Sequence, residues 1–146
     1  MRNIESISFV LKEYFSGFDF INFALVFGSF ANGKENTLSD IDIGIHTTRD
    51  LELLELGKLV VDIENQTGIR ADLSILNNSY KNNPSFAYQV VTNCKLIYEK
   101  EKNNFSDFKT SCFINYFDHA NLRKMVEKSF DLRISNKKIG ERNFVG

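Results

Sequence analysis

Apolar residues along this chain follow two rhythms. Ile4, Ile7, Val10, Leu11, Tyr14 and Phe15 fall at helical spacing and Gly17 follows as a stop, so residues 4–16 are predicted to form an amphipathic helix. "INFALVF", 21–27, is an apolar run of strand length that ends at Gly28, which marks a buried central strand. "DIDIGIHT", 40–47, alternates with period two. It sets Ile41, Ile43 and Ile45 on one face and Asp40, Asp42, Gly44 and His46 on the other, the apolar face being expected in the core and the acidic face outside it.

Asp50 can cap a helix running to about Gln66, with Leu51, Leu54, Leu59 and Ile63 as its apolar positions and Gly68 as its terminator. "IRADLSIL" is a third strand, Asn83-Pro84 starts a helix over 84–93, and "KLIYE" is a short edge strand. From Phe105 to about Arg133, the spacing of Phe108, Cys112, Tyr116, Phe117, Ala120 and Met125 predicts a long helix. Helices and strands thus alternate, giving an α/β domain of two or three layers around a mixed sheet of about four strands.

Length and composition narrow this picture. At 146 residues the chain is expected to be one domain over 1–133, with 134–146 as a polar, flexible tail. Eighteen Lys and Arg against nineteen Asp and Glu leave a formal charge of -1, so no global field draws the protein onto nucleic acid or an anionic membrane. Arg2, Glu5, Lys12, Glu13 and Asp19 argue against a signal peptide, and no stretch reaches the roughly 20 apolar residues of a membrane span, so a cytoplasmic protein is expected. Cys94 and Cys112 lack metal-type spacing and His46 and His119 stand apart from them, which disfavours zinc and suits ordinary buried thiols. His46 itself reads as a strand-end surface residue, and Asp62 and Glu64 as a solvated helix face.

The chemistry lies in "FGSFANGKENTLSDIDIGI", 27–45. Side chains two apart on a strand project the same way, roughly 6.5–7 Å apart at ~3.3 Å per residue, so Asp40 and Asp42 face a common point. Two like charges there call for a cation, and Lys34 and Arg49 are the nearest basic residues in sequence. Oxygen ligands without nearby His or Cys favour Mg²⁺ or Mn²⁺. If the "ADLSIL" strand lies beside "DIDIGI", Asp72 completes a three-carboxylate cluster able to hold two ions about 3.5–4 Å apart, with Asp72 also a candidate proton acceptor. Gly28 and Ser29 would then begin a short turn over 29–32, ended by Gly33, whose N–H groups face a phosphate. Gly28 would let the backbone approach closely, and Ser29 would donate its hydroxyl to that phosphate.

The Gly-Ser pair, ten intervening residues, Asp40-x-Asp42 on a strand, and Asp72 on a later strand resemble the signature of the polymerase-β-type nucleotidyltransferase superfamily. The order of elements, "VVTNCKLIYE" included, is similar to that of its minimal nucleotidyltransferases, among them the MntA-type antitoxins paired with HEPN-domain toxins. The resemblance implies the polymerase-β-like fold with a long C-terminal helix and a Mg²⁺-dependent transfer of AMP from ATP. In the antitoxin branch the acceptor is a tyrosine of the cognate toxin, so the implied partner is a HEPN toxin; the residues leave both a homodimer and a hetero-oligomer open. Gly28, Ser29, Asp40, Asp42 and Asp72 carry over by position. The family often places arginines where this chain has Phe30 and Asn32, leaving Lys34 as the nearest substitute at the triphosphate. Two other functions fit the same residues: an antitoxin that neutralises its partner by contact alone, and a nucleotidyltransferase acting on a small molecule.

Overall fold

In the computed structural model, which describes residues 4–29, 31 and 40–136, the predicted rhythms become alternating helices and strands. The elements are α1 (Ile4–Phe15), β1 (Ile21–Phe27), β2 (Ile41–Thr47), α2 (Leu53–Thr67), β3 (Ala71–Ile75), α3 (Ser79–Asn82), α4 (Pro84–Thr92), β4 (Cys94–Glu99) and α5 (Asn104–Asn136). Among the described residues the strands form one sheet in the order β3-β2-β1-β4. β2 pairs parallel to β3 and β1 pairs antiparallel to both β2 and β4, so the sheet is mixed, as predicted.

Alternation along β1 and β2 divides the apolar residues between two cores, one on each face of the sheet. On one face Ala24, Val26, Ile41, Ile43 and Ile45 meet Ile7, Leu11 and Phe15 of α1 and Leu59 and Ile63 of α2. On the other, Phe23 and Leu25 meet Ala87, Val90 and Val91 of α4 and Phe108 and Cys112 of α5. The domain therefore has three layers. The expectation that the acidic face of β2 lies outside the core is corrected here: below Asp42, that face is roofed by a second core.

His46 shows the consequence. The register Phe23↔His46 sets the imidazole beneath α5, half-buried, stacked on Phe23 with 5.1 Å between ring centroids and edge-on to Phe108 at 5.6 Å. It is not the surface residue that its strand-end position suggested. Burial lowers its pKa, and the neutral ring accepts a 3.0 Å hydrogen bond at Nδ1 from Asn22 Nδ2.

Other ends depart from expectation for local reasons. α2 takes Glu52, not Asp50, as its N-cap, because the Glu52 N–H donates to Glu55 Oε1 at 3.0 Å. Gly68 closes the helix in the left-handed region at φ 71°, its N–H reaching Glu64 O at 2.8 Å. Leu54 is exposed, not core: five residues before Leu59 it lies about 140° around the helix at 3.6 residues per turn. Asp62 and Glu64 are engaged. Asp62 accepts from the Tyr14 hydroxyl at 2.7 Å and pairs with Lys58, while Glu64 Oε2 accepts the Ala71 N–H at the start of β3. Asn83 caps α4 by accepting from the Phe86 N–H, with Pro84 in the first turn. α5 runs to Asn136, and at ~1.5 Å per residue its 33 residues span roughly 50 Å. Phe108 and Cys112 anchor it, whereas Phe117 and Met125 are exposed. Burial pushes the Cys112 thiol up to about 12, so this cysteine is a packing residue.

Candidate active site

The register of the sheet assembles the site. Asp72 on β3 is the pairing partner of Asp42 on β2, Asp42 pairs with Phe27 on β1, and Phe27 pairs with Cys94 on β4. Paired residues share a face, so Asp72, Asp42, Phe27 and Cys94 form a row across the sheet, on the side covered lower down by α4 and α5. Asp40 stands one residue before β2 and is exposed. Burial first, and then the charges of Asp72 and Asp40, push the Asp42 carboxyl above its ordinary range. The other two aspartates picked out by spacing thus both act on Asp42.

Gly28 is locked to this row. It leaves β1 in the left-handed region at φ 74°, and a Cβ built on it would lie 2.5 Å from Asp42 Oδ2. The backbone angle favours glycine, and any Cβ there would also push the Asp42 carboxylate aside. Gly44, two residues below Asp42, is demanded by packing. A Cβ there would meet Leu76 Cδ1 at 2.7 Å and Leu25 Cδ1 at 3.2 Å. Leu76 is held across the sheet because its N–H donates to Ile45 O at 2.8 Å and the Asn77 side chain bonds both the N–H and the carbonyl of Thr47.

Charge compensation comes from neither described ion pair. Arg49 pairs with Glu55 at 2.7 Å and lies over the Phe20 ring at 4.6 Å, while Lys58 pairs with Asp62. As the side chains stand, no three of His, Cys, Asp and Glu among the described residues are gathered closely enough to hold a metal ion. Like charges have no reason to close on one another without a cation between them. The donor set nevertheless suits a hard divalent ion: carboxylate oxygens, one of them desolvated, raised by its neighbours and lacking a basic partner among the described residues. Ser29 sits in the turn after Gly28, whereas Phe30, Asn32, Gly33 and Lys34 lie outside the described residues, as does 137–146.

One feature escaped the sequence. Beside Gly28 a cleft of about 400 Å³ opens between β1 and α4, lined by Phe27, Gly28, Phe86, Gln89, Val90 and Asn93. Its signal was available only in part: the end of the apolar run at Phe27 and the helix start at Asn83-Pro84 were both visible, but not their adjacency.

A mixed sheet with a Gly-Ser turn leaving its central strand and aspartates paired across β2 and β3 defines a nucleotidyltransferase scaffold. The family model for polymerase beta, nucleotidyltransferase, matches residues 10–103, and the chain belongs to that family. Among solved structures, a chain from the toxin-antitoxin with AMP-PNP is similar to it, with a TM-score of 0.68 and 19% identity over 84% of this chain and 95% of that one. A chain from the tri-AMPylated Shewanella oneidensis HEPN toxin in complex with MNT antitoxin matches with a TM-score of 0.62 and 17% identity, covering 85% and 94% respectively. The toxin-antitoxin MntA-HepT provides a third, with a TM-score of 0.62 and 17% identity over 85% and 95%. At these identities the structures show a shared fold. No curated protein matches the chain. Among the described residues no helix is long and apolar enough to cross a membrane.

Proposed function

We propose that this protein transfers AMP from ATP to a hydroxyl of a partner protein, a tyrosine of a HEPN-type toxin, and so acts in the cytoplasm as that toxin's antitoxin. The observation that carries the reading is the pairing of Asp42 with Asp72 on one sheet face, with Gly28 pressed against the Asp42 carboxylate. Family membership supports nucleotidyl transfer, and the solved complexes of similar fold, one with AMP-PNP and one holding an AMPylated HEPN toxin beside an MNT antitoxin, support the donor and the acceptor.

Each residue has a task. Gly28, bare of a side chain, lets the turn after β1 approach the triphosphate, and the Ser29 hydroxyl donates to it, with Lys34 supplying positive charge. Asp40, Asp42 and Asp72 would hold Mg²⁺, two ions in the full site, which when bound neutralises the triphosphate and eases ionisation of the attacking hydroxyl. Asp72 lies exposed on edge strand β3, open to a protein acceptor, and takes the proton of the tyrosine hydroxyl. The tyrosine oxygen then bonds to the α-phosphorus as the bond to the bridging oxygen breaks, and pyrophosphate carries away the electron pair.

The test is incubation with α-labelled ATP, Mg²⁺ and a HEPN-type toxin. Label should appear on a toxin tyrosine and disappear with Asp42→Ala. A stable complex that neutralises the toxin without ATP, and equally well with Asp42→Ala, would replace this reading with neutralisation by contact.

A further inference from the structure

We infer, resting on the nucleotidyltransferase reading, that Glu64 of α2 is a positioning residue: its carboxylate fixes the start of β3 and thereby the place of Asp72 in the site. Asp72 has weaker support than Asp42. β2 is flanked by β1 and β3, whereas among the described residues β3 is a five-residue edge strand with a neighbour on one side alone. Its far end is tied to β2 by the Leu76 N–H on Ile45 O at 2.8 Å and by the Asn77 side chain on Thr47. Its near end, where Asp72 is the second residue, depends on what comes just before. Ile69 is buried in the core, and Arg70 O accepts the Ile41 N–H at 2.8 Å. In a parallel ladder that bond leaves the Ala71 N–H pointing away from β2, off the open edge. There Glu64 Oε2 accepts it at 2.9 Å.

Glu64 is itself well held. It follows the buried Ile63, and its own carbonyl accepts the Gly68 N–H that closes α2, so one residue both ends the helix and catches the strand. A carboxylate acceptor makes the stronger kind of bond to a backbone amide, and it also blunts an edge that would otherwise offer a bare N–H. The carboxylate adds no ligand to the aspartates. α2 packs on the sheet face that carries Ala71 and Leu73, and alternation puts the Asp72 side chain on the other face. Glu64 therefore acts only through the backbone, at the residue whose Cα is about 3.8 Å from that of Asp72. Without it the start of β3 is free to fray, and a displacement near 1 Å at a reacting centre costs about 100-fold in rate.

The full chain with Glu64→Leu or Glu64→Gln tests the inference. Leucine keeps the helix propensity and the packing of the side-chain stem but cannot accept a hydrogen bond, whereas glutamine keeps an acceptor oxygen. Three quantities are read below the melting transition: amide exchange by NMR, the Mn²⁺ concentration that broadens the Asp72 amide signal, and kcat and KM for label transfer to a HEPN-type toxin. In Glu64→Leu the Ala71 amide should exchange about tenfold or more faster, while those of Ala24 and Val26 in β1 keep their wild-type rates. More Mn²⁺ should be needed to broaden Asp72, and kcat should fall about tenfold or more with KM for ATP within about twofold of wild type. Glu64→Gln should bring all three back toward wild type. A Glu64→Leu protein with wild-type Mn²⁺ response and kcat would overturn the inference even if its Ala71 amide exchanged faster, since the bond would then serve the fold alone. Glutamine behaving like leucine would overturn it too, by removing the hydrogen bond as the cause. A wild type that responds to Mn²⁺ but transfers no label would sink the transferase reading, and the exchange and Mn²⁺ response of the variants would still decide whether Glu64 places Asp72. A wild type with no Mn²⁺ response at Asp72 would overturn both.

Discussion

Gly28→Ala isolates the contact on which the site depends. The new Cβ would start 2.5 Å from Asp42 Oδ2, and ordinary van der Waals contact begins at 3.4 Å, so the Asp42 carboxylate must turn away and its oxygen move by about 0.9 Å. Placing alanine at φ 74° costs about 1–2 kcal/mol, of which the reduced freedom of the unfolded chain offsets ~0.4–1 kcal/mol. The net destabilisation is about 1 kcal/mol, or roughly 4 °C in melting temperature for a domain of this size. Activity should suffer far more, since a misplacement near 1 Å at a reacting centre costs about 100-fold. Gly57→Ala is the matched control: Gly57 lies within α2 with nothing within 4 Å of its built Cβ, so alanine should stabilise the helix by ~0.5–1 kcal/mol and leave the rate alone. Thermal melts and initial rates of label transfer measure both effects. A Gly28→Ala protein that melts like wild type and transfers AMP within twofold of its rate would show that Gly28 does not position Asp42.

Two further outcomes concern Asp42 and the buried Gly44 beneath it. Asp42 has a raised folded-state pKa, so the native state binds the extra proton, and in the absence of divalent cations stability should fall as pH rises through that pKa. Asp42→Asn should therefore melt above wild type at neutral pH without Mg²⁺, should flatten the pH dependence, and should lack the rise in melting temperature that the proposed function expects of the wild type in Mg²⁺; a variant stabilised by Mg²⁺ as strongly as wild type would count against Asp42 as a ligand. Gly44→Ala forces Leu76 and Leu25 aside in a packed core, a cost of about 1–3 kcal/mol seen as a melting temperature roughly 4–12 °C lower, and an unchanged melt would show that Leu76 does not bear on Gly44.

Periodicity carries information along a strand, and this is why β1, β2 and the grouping of Ile41, Ile43 and Ile45 were legible. Nothing in that rhythm says what lies beside a strand or over it. The acidic face of β2 reads as open because aspartates are costly to bury, yet only its rim obeys that rule. Two residues below the Asp72–Asp42–Phe27 row come Gly44 and Leu25, partners in the ladder and both buried, and then His46 against Phe23 under α5. Burial of Leu76, Phe23 and Phe108 on that face requires helices contributed by residues 76–112, thirty and more positions from β2, and no local pattern announces them. The same long-range packing gives the site its character. Because the second core begins directly beneath it, Asp42 stands with its base in apolar surroundings and its carboxyl at the mouth, desolvated enough to be raised and near enough to Asp72 and Asp40 to be raised further. A fully solvated Asp-x-Asp would be satisfied by water and would have little to gain from a cation. On the proposed function, setting the pair at the edge of a core, with a glycine against one carboxylate in place of a basic partner, leaves the like charges to be relieved by a divalent ion bound to phosphate.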